Sequence, residues 1–251
     1  MSDSTRRAAI VTGAAGGIGS AIAARLDKDC VDVLAVDLLA PAACGPGVAF
    51  AADLTTREGN KNAVEAALDQ FGRLDMIIAN AGFQHVSPVA DFPEERWDAL
   101  IALMLTSPFL LAKYGWPALV AAPEGGRFLV VASVHALVAS PYKAGYVAAK
   151  HGALGLVKTL ALEGAEHGIC ACAICPGYVR TPLVEKQVAA QAAAHGMSQD
   201  RVLQDVMLAA QPVKKLIEAE EVAELASFLL GPNGRSFTGV PVSMDQGWTA
   251  R

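Results

Sequence analysis

Short apolar runs alternate with segments of helical period along this chain. Ala8–Thr12, Val31–Asp37, Val48–Ala52, Leu74–Ala79, Phe128–Ala132 and Ile169–Cys175 are apolar nearly throughout and read as strands, with a last short one at Val240–Ser243. Gly17–Asp27, Arg57–Phe71, Arg96–Leu111, Ala144–Glu166 and Ala219–Leu230 read as helices between them. A strand that is apolar at every position has to be covered on both faces, and strands separated by helices pair in parallel.

Right-handed crossovers then predict an α/β fold, a doubly wound seven-stranded parallel sheet of Rossmann type. No linker or internal repeat divides residues 1–251, so one domain is expected. Alternation is interrupted once. Between Pro182 and Gln211 two polar-to-amphipathic segments, Leu183–His195 and Gln199–Leu208, precede the next helix. An insertion after a strand's carboxyl end is placed to cover a site there, and 182–211 is read as a small helical lid.

Composition narrows the classes of partner. The chain is 53% hydrophobic and 18% charged, which excludes a disordered polymer. Twenty Lys+Arg against 25 Asp+Glu leave a formal charge of −5 without a basic cluster, so neither nucleic acid nor an anionic membrane is an expected partner. The uncharged stretch Ala8–Ala24 is too short and too glycine-rich for a membrane span, and Met1–Ile10 has no export signal. Five cysteines without a secreted-type framework point to reduced thiols and a cytoplasmic protein. Cys170, Cys172 and Cys175 lie in an apolar strand, the first two on one face and the third on the other, and are read as core rather than metal ligands. His85, His151, His167 and His195 have no convergent carboxylate, so no metal is expected.

Thr12-Gly13-Ala14-Ala15-Gly16-Gly17-Ile18-Gly19 follows the first strand and opens a helix. Gly13, Gly17 and Gly19 permit a tight turn, close approach to a pyrophosphate and close helix–sheet packing, and the helix N-terminus offers free N–H groups. The second strand ends in Asp37, and no Arg or Lys follows until Arg57. An acid there accepts the ribose hydroxyls of NAD and repels the 2′-phosphate of NADP. Asp53 closes the third strand within reach of an adenine amino group, with Leu54 lining the ring, and Asn80-Ala81-Gly82 closes the fourth.

Tyr146 and Lys150 stand four apart in a predicted helix and share a face, and Ser133 ends the preceding strand. A lysine ammonium favours phenolate and lowers the tyrosine pKa. The tyrosine then exchanges a proton with an alcohol, and the serine hydrogen-bonds the reacting oxygen.

With these motifs in this order, together with Tyr146-Val147-Ala148-Ala149-Lys150 and Pro176-Gly177-Tyr178-Val179-Arg180-Thr181, the chain resembles the short-chain dehydrogenase/reductase family over essentially its whole length. The resemblance implies Ser133, Tyr146 and Lys150 as catalytic residues. It also puts Pro176, Val179 and Thr181 at the cofactor, with Thr181 at the nicotinamide carboxamide, and implies a homotetramer. Gly82-Phe83-Gln84-His85-Val86, Ser133-Val134-His135, Tyr142–Tyr146, Thr181–Gln187 and Gly247–Arg251 look like the bacterial D-3-hydroxybutyrate dehydrogenases within that family. In that group the positions of Gln84, His135, Lys143 and Gln187 hold a substrate carboxylate, and those of Tyr178 and Trp248 border the pocket. The residue types agree: one cation and three neutral donors around Tyr146 suit a small monocarboxylate.

Two other readings remain open, a reductase of carrier- or CoA-linked 3-oxoacyl groups and a catalytically weakened NAD-binding protein. The second is motivated by one departure. The family carries an Asn that holds a water linking the lysine to solvent, whereas this stretch reads Leu103-Met104-Leu105. A thioether donates nothing to a water, so slower reprotonation of Tyr146 and Lys150 is expected unless Ser107, three residues on, turns its hydroxyl inward.

Overall fold

The computed structural model describes residues 6–39 and 47–250, with the side chains of Leu183, Ala190, Gln191, Ala193, Ala194 and His195 outside that description. Seven strands form one parallel sheet in the order β3-β2-β1-β4-β5-β6-β7. They are β1 Ala8–Thr12, β2 Asp32–Asp37, β3 Val48–Ala51, β4 Met76–Ala79, β5 Arg127–Val131, β6 Cys170–Pro176 and β7 Pro241–Met244. The order reverses between β1 and β4, which opens a crevice at the carboxyl ends of these two strands. β1, β4, β5 and β6 are buried at every position, as their apolar runs lead one to expect, and β5 buries Arg127 at its start as well. β3 differs from expectation: at the edge of the sheet, three of its four residues are exposed.

Two apolar layers flank the sheet. On one side Leu34, Ile77 and Phe128 pack beneath α2 (Arg57–Phe71), α4 (Ser107–Ala121) and α5 (Ala144–Gly164). On the other, Val11, Ile78 and Ile174 meet α1 (Gly17–Lys28) and α8 (Ala219–Leu230). The cysteines follow the alternation of β6. Cys175 belongs to the first layer and Cys172 to the second, and among the described residues no group of three metal-ligating side chains occurs.

The helix expected over Arg96–Leu111 is longer than its sequence suggests. α3 (Glu94–Ile101) continues through a π-helical turn, Ala102–Thr106, into α4. Gly115 and Pro117 look like terminators, but tertiary packing overrides them. A Cβ on Gly115 would stand 2.6 Å from Ile77 Cδ1, so the glycine is where helix meets sheet most closely. The run Glu94–Ala121, 28 residues that include an 18-residue stretch of mean hydropathy 1.3, is long and apolar enough to cross a membrane by length and composition. Here part of its apolar surface packs on the sheet, where Leu111 and Leu119 are fully buried, while Phe109 and Val120 stay exposed.

The insertion after β6 forms α6 (Pro182–His195), then α7 (Gln199–Val202) and a π-helical turn, Leu203–Met207. Val188, Ala192, Val202 and Met207 make a small core of their own against Tyr178 and Val184. The segment is thus held largely by itself rather than by the sheet.

Candidate active site

A single cavity of about 530 Å³ runs along the carboxyl ends of the strands, from Asp37 and Asp53 at one end to Lys143, Tyr178 and Trp248 at the other. Every site residue expected from the sequence lines it except Gly19. Gly19 has a packing role instead, because a Cβ there would lie 2.1 Å from the Gly13 carbonyl oxygen. Gly13 is needed twice over. Its φ of +66° is the left-handed region, and a Cβ would meet Ala81 Cα at 2.9 Å.

The loop is pinned by residues that sequence reasoning assigned to ligand contact or passed over. Thr12 Oγ1 accepts the backbone N–H groups of Asn80 and Ala81 at 2.9 and 3.0 Å. The Asn80 amide donates to the carbonyls of Thr12 and Gly13. Asn80 therefore shapes the cradle from behind as well as bordering it. At the far end of the loop, Asp37 accepts the N–H of Ala15 at 3.0 Å and that of Leu38 at 2.8 Å. Each carboxylate oxygen keeps a lone pair for a further donor. No Arg or Lys lines this end of the cavity. A glycine cradle at a helix N-terminus and an acid at the ribose position fit a nicotinamide dinucleotide.

Ser133, Tyr146 and Lys150 meet in the middle of the cavity. α5 starts at Ala144, after Tyr142 takes a left-handed φ of 66° that reverses the chain, so Tyr146 and Lys150 fall on the face toward β5. Lys150 is buried, its Nζ donates to the Val131 carbonyl at 2.8 Å, and burial lowers its pKa to about 8. Its nitrogen stands 5.6 Å from the centre of the Tyr146 ring.

The expected lowering of the tyrosine by this lysine does not hold in the protein alone. Burial raises the Tyr146 pKa, and its hydrogen bond with Ser133 offsets only part of that. The reason is that both groups share one poorly solvated site. Desolvation penalises phenolate and ammonium alike, and the lysine's proton points at a carbonyl.

The proposed carboxylate pocket is aromatic and cationic. Tyr178 stacks on Trp248 with ring centres 5.8 Å apart, and Lys143 Nζ lies 5.7 Å above the Tyr178 ring. Burial lowers the Lys143 pKa, and no carboxylate counters it. Gln187, carried by α6, donates to Gln84 Oε1 at 3.2 Å, so the two glutamines first meet each other across the cavity mouth. Val184 and Phe83, which stand in the quoted motifs without an assigned role, add apolar lining.

His135 packs edge-on to Tyr146 and Trp248, and both its ring nitrogens have partners. Nδ1 lies 3.4 Å from Ser133 Oγ and Nε2 lies 2.9 Å from Ser140 Oγ. Burial first, then the charge of Lys143 and the neighbouring His151, pull its pKa down from 6.5 to about 4. His135 is therefore neutral near pH 7, and Lys143 supplies the positive charge of this pocket. Folding then favours a form that the unfolded chain loses below pH 6.5. His135 should stabilise the fold fully above pH 6.5, and up to about 3 kcal/mol should be lost as the pH falls through 4. Chemical denaturation between pH 4 and 7 tests this, with His135→Gln, which does not titrate, expected to lose distinctly less. Equal losses in both proteins would refute it.

Met104 sits in the π-helical turn, fully buried with Leu100 and Ala149 beside Tyr146, and its sulfur fills the space left by Gly82. Ser107 does not replace the missing amide. Its hydroxyl donates to Asn60 Oδ1 at 2.6 Å, and Asn60 in turn caps the carbonyls of Leu54 and Thr56. The serine faces α2, one helical turn away from the site.

Comparison with known proteins agrees with this geometry. The short-chain dehydrogenase family pattern matches residues 7–192. A D-beta-hydroxybutyrate dehydrogenase of Rhizobium meliloti (strain 1021) is 42% identical, over 98% of this chain and 99% of its own length. One from Cupriavidus necator is 39% identical over 98% of both chains. The solved aldohexose dehydrogenase of Thermoplasma acidophilum superimposes with a TM-score of 0.91 at 24% identity, covering 100% of this chain and 96% of its own. This chain belongs to the short-chain dehydrogenase family of oxidoreductases, which bind a nicotinamide cofactor.

Proposed function

We propose that this protein is a cytoplasmic NAD-dependent dehydrogenase that interconverts D-3-hydroxybutyrate and acetoacetate. The observation that carries the substrate reading is Lys143, a cavity-facing cation with no carboxylate partner among the described residues, close to the candidate acid/base Tyr146. The cavity's two acids, Asp37 and Asp53, stand at its opposite end. A small anionic substrate is thus drawn to the Tyr146 end and held there. A thioester-linked 3-oxoacyl group has no carboxylate to offer this lysine, and the names of the two relatives favour the free hydroxy acid.

When bound, NAD supplies the hydride acceptor. The chain's own residues do the rest. Lys143 and the glutamines Gln84 and Gln187 hold the carboxylate, while Trp248 and Tyr178 wall off the carbon chain and His135, its ring nitrogens turned to Ser133 and Ser140, packs edge-on to Trp248. Ser133 hydrogen-bonds the oxygen on C3, and Tyr146 takes its proton. Lys150 holds positive charge behind the ring. Gln187 on α6, bonded to Gln84 across the mouth, closes the lid over the bound substrate. We further propose a homotetramer, in which the exposed apolar side chains Phe109 and Val120 of α4 and Leu162 of α5 are covered. Neither nucleic acid nor a membrane enters this reading.

Steady-state oxidation of each enantiomer of 3-hydroxybutyrate with NAD tests the reading, and turnover of the D form is expected. Lys143→Ala should raise the KM for the acid about 10- to 100-fold, the worth of one charge-assisted contact, with NAD binding unchanged. Equal turnover of the methyl ester and the acid would overturn the carboxylate assignment.

A further inference from the structure

The candidate base needs a path by which its proton reaches solvent, and among the described residues no chain of polar side chains continues from Lys150. The Lys150 ammonium ends on the Val131 carbonyl, its one side-chain hydrogen bond among the described residues. Beside Tyr146, Met104, Leu100 and Ala149 form an apolar cluster, and none of these side chains donates or accepts strongly. A chain of polar groups does leave Tyr146 in the other direction. Its hydroxyl bonds to Ser133. Ser133 Oγ faces His135 Nδ1 at 3.4 Å while also accepting the His135 backbone N–H. His135 Nε2 meets Ser140 Oγ at 2.9 Å. Ser140 is partly buried between the exposed Ala139 and Pro141 and does not line the cavity, so the chain starts at the candidate base and ends next to the surface.

We propose that Ser133, His135 and Ser140 form a proton relay that carries the substrate's hydroxyl proton from Tyr146 to solvent. This rests on the reading of Tyr146 as the acid/base of an alcohol dehydrogenation. Tyr146 passes its phenolic proton to Ser133 Oγ as Ser133 passes its own to His135 Nδ1. The ring releases its Nε2 proton to Ser140 Oγ, and the Ser140 hydroxyl proton goes to water. One proton leaves for each alcohol oxidised, and the imidazole stays neutral, exchanging one tautomer for the other. It regains the starting tautomer through solvent exchange before the next turnover. The same path run inward protonates the alkoxide during ketone reduction. The charged and titratable groups facing the ring are Lys143, His151 and Tyr146. Burial and the Lys143 ammonium disfavour an imidazolium, which leaves tautomer exchange as the ring's mode of transfer.

Ser140 separates this role from substrate binding, since it lies outside the cavity. Ser140→Val and Ser140→Thr have nearly the same shape and differ in the hydroxyl, and the valine methyl keeps a replacement water out. With D-3-hydroxybutyrate and NAD, Ser140→Val should lower kcat about tenfold, raise the solvent isotope effect and leave both KM values unchanged. Ser140→Thr should keep the parental values, and added imidazole buffer should restore much of the rate in Ser140→Val. An unchanged kcat and isotope effect in Ser140→Val would overturn the relay. So would an equal loss in the threonine variant, which would mark the position as structural. Nitrogen-15 NMR of His135 in the protein without cofactor gives a readout independent of turnover. Protonated Nε2 and unprotonated Nδ1 are expected, with Nε2 shifted in Ser140→Val and not in Ser140→Thr, and a protonated Nδ1 would also overturn the relay. If the unaltered protein does not oxidise D-3-hydroxybutyrate, the substrate reading falls, and the NMR result decides the relay by itself.

Discussion

Lys150→Met should abolish dehydrogenase activity and make the protein more stable at neutral pH. The activity loss is expected to be at least about 100-fold, the lower range for losing proton-transfer assistance at a reacting oxygen. The stability gain follows from the lysine's pKa of about 8 against 10.5 in the unfolded chain. A depressed pKa means that the fold tolerates the neutral amine and penalises the ammonium. This contribution to stability is fully present above pH 10.5 and is lost as the pH falls through 8. At pH 7 the whole penalty applies, about 3 kcal/mol from a shift of this size. Methionine removes the charge but also the donor to Val131, whose carbonyl loses about 1–2 kcal/mol of pairing. The balance is a variant about 1–2 kcal/mol more stable at pH 7, with the advantage gone by pH 10.5. Urea denaturation at pH 7 and above pH 10 measures it. A variant less stable at pH 7 would show that the buried ammonium is better compensated than its single hydrogen bond indicates.

The second large effect concerns cofactor choice. NAD should be used at least about 100-fold more efficiently than NADP in kcat/KM, or roughly 2.7 kcal/mol. The Asp37 carboxylate is already fixed by the N–H groups of Ala15 and Leu38. It cannot swing away from a 2′-phosphate without giving up both bonds, so the repulsion is enforced rather than avoidable. Asp37→Ser should bring the two cofactors within about tenfold of each other, mainly by weakening NAD. Comparable efficiency in the unaltered protein would show that the acid does not face the ribose.

Much of this molecule could be read from its sequence because the signals were local. Apolar runs for β1, β4, β5 and β6 marked buried strands, since a strand covered on both faces is apolar almost throughout, the buried Arg127 at the start of β5 being the exception. The glycine loop, Asp37, Ser133, Tyr146 and Lys150 were legible because each belongs to a fixed place at the end of a strand or on one turn of helix. All five elements open onto the same cavity. The end of α4 was not legible, as Gly115 and Pro117 look like stops until Ile77 is seen against the helix.

What tertiary structure alone decided was which polar groups face each other. Ser107 could have served the site or the core, and only its bond to Asn60, 47 positions earlier, assigns it to the core. Gln84 and Gln187 meet across more than a hundred residues. Ser140, unremarkable in sequence, gains its importance from the ring nitrogen it reaches. The ionisation of Tyr146 likewise depends on how much water the fold excludes from it and from Lys150 together. Residue type and spacing determine what chemistry a segment can perform. Burial and long-range contact determine the charge state in which it is performed, because desolvation and pairing are properties of the assembled site and not of any one segment.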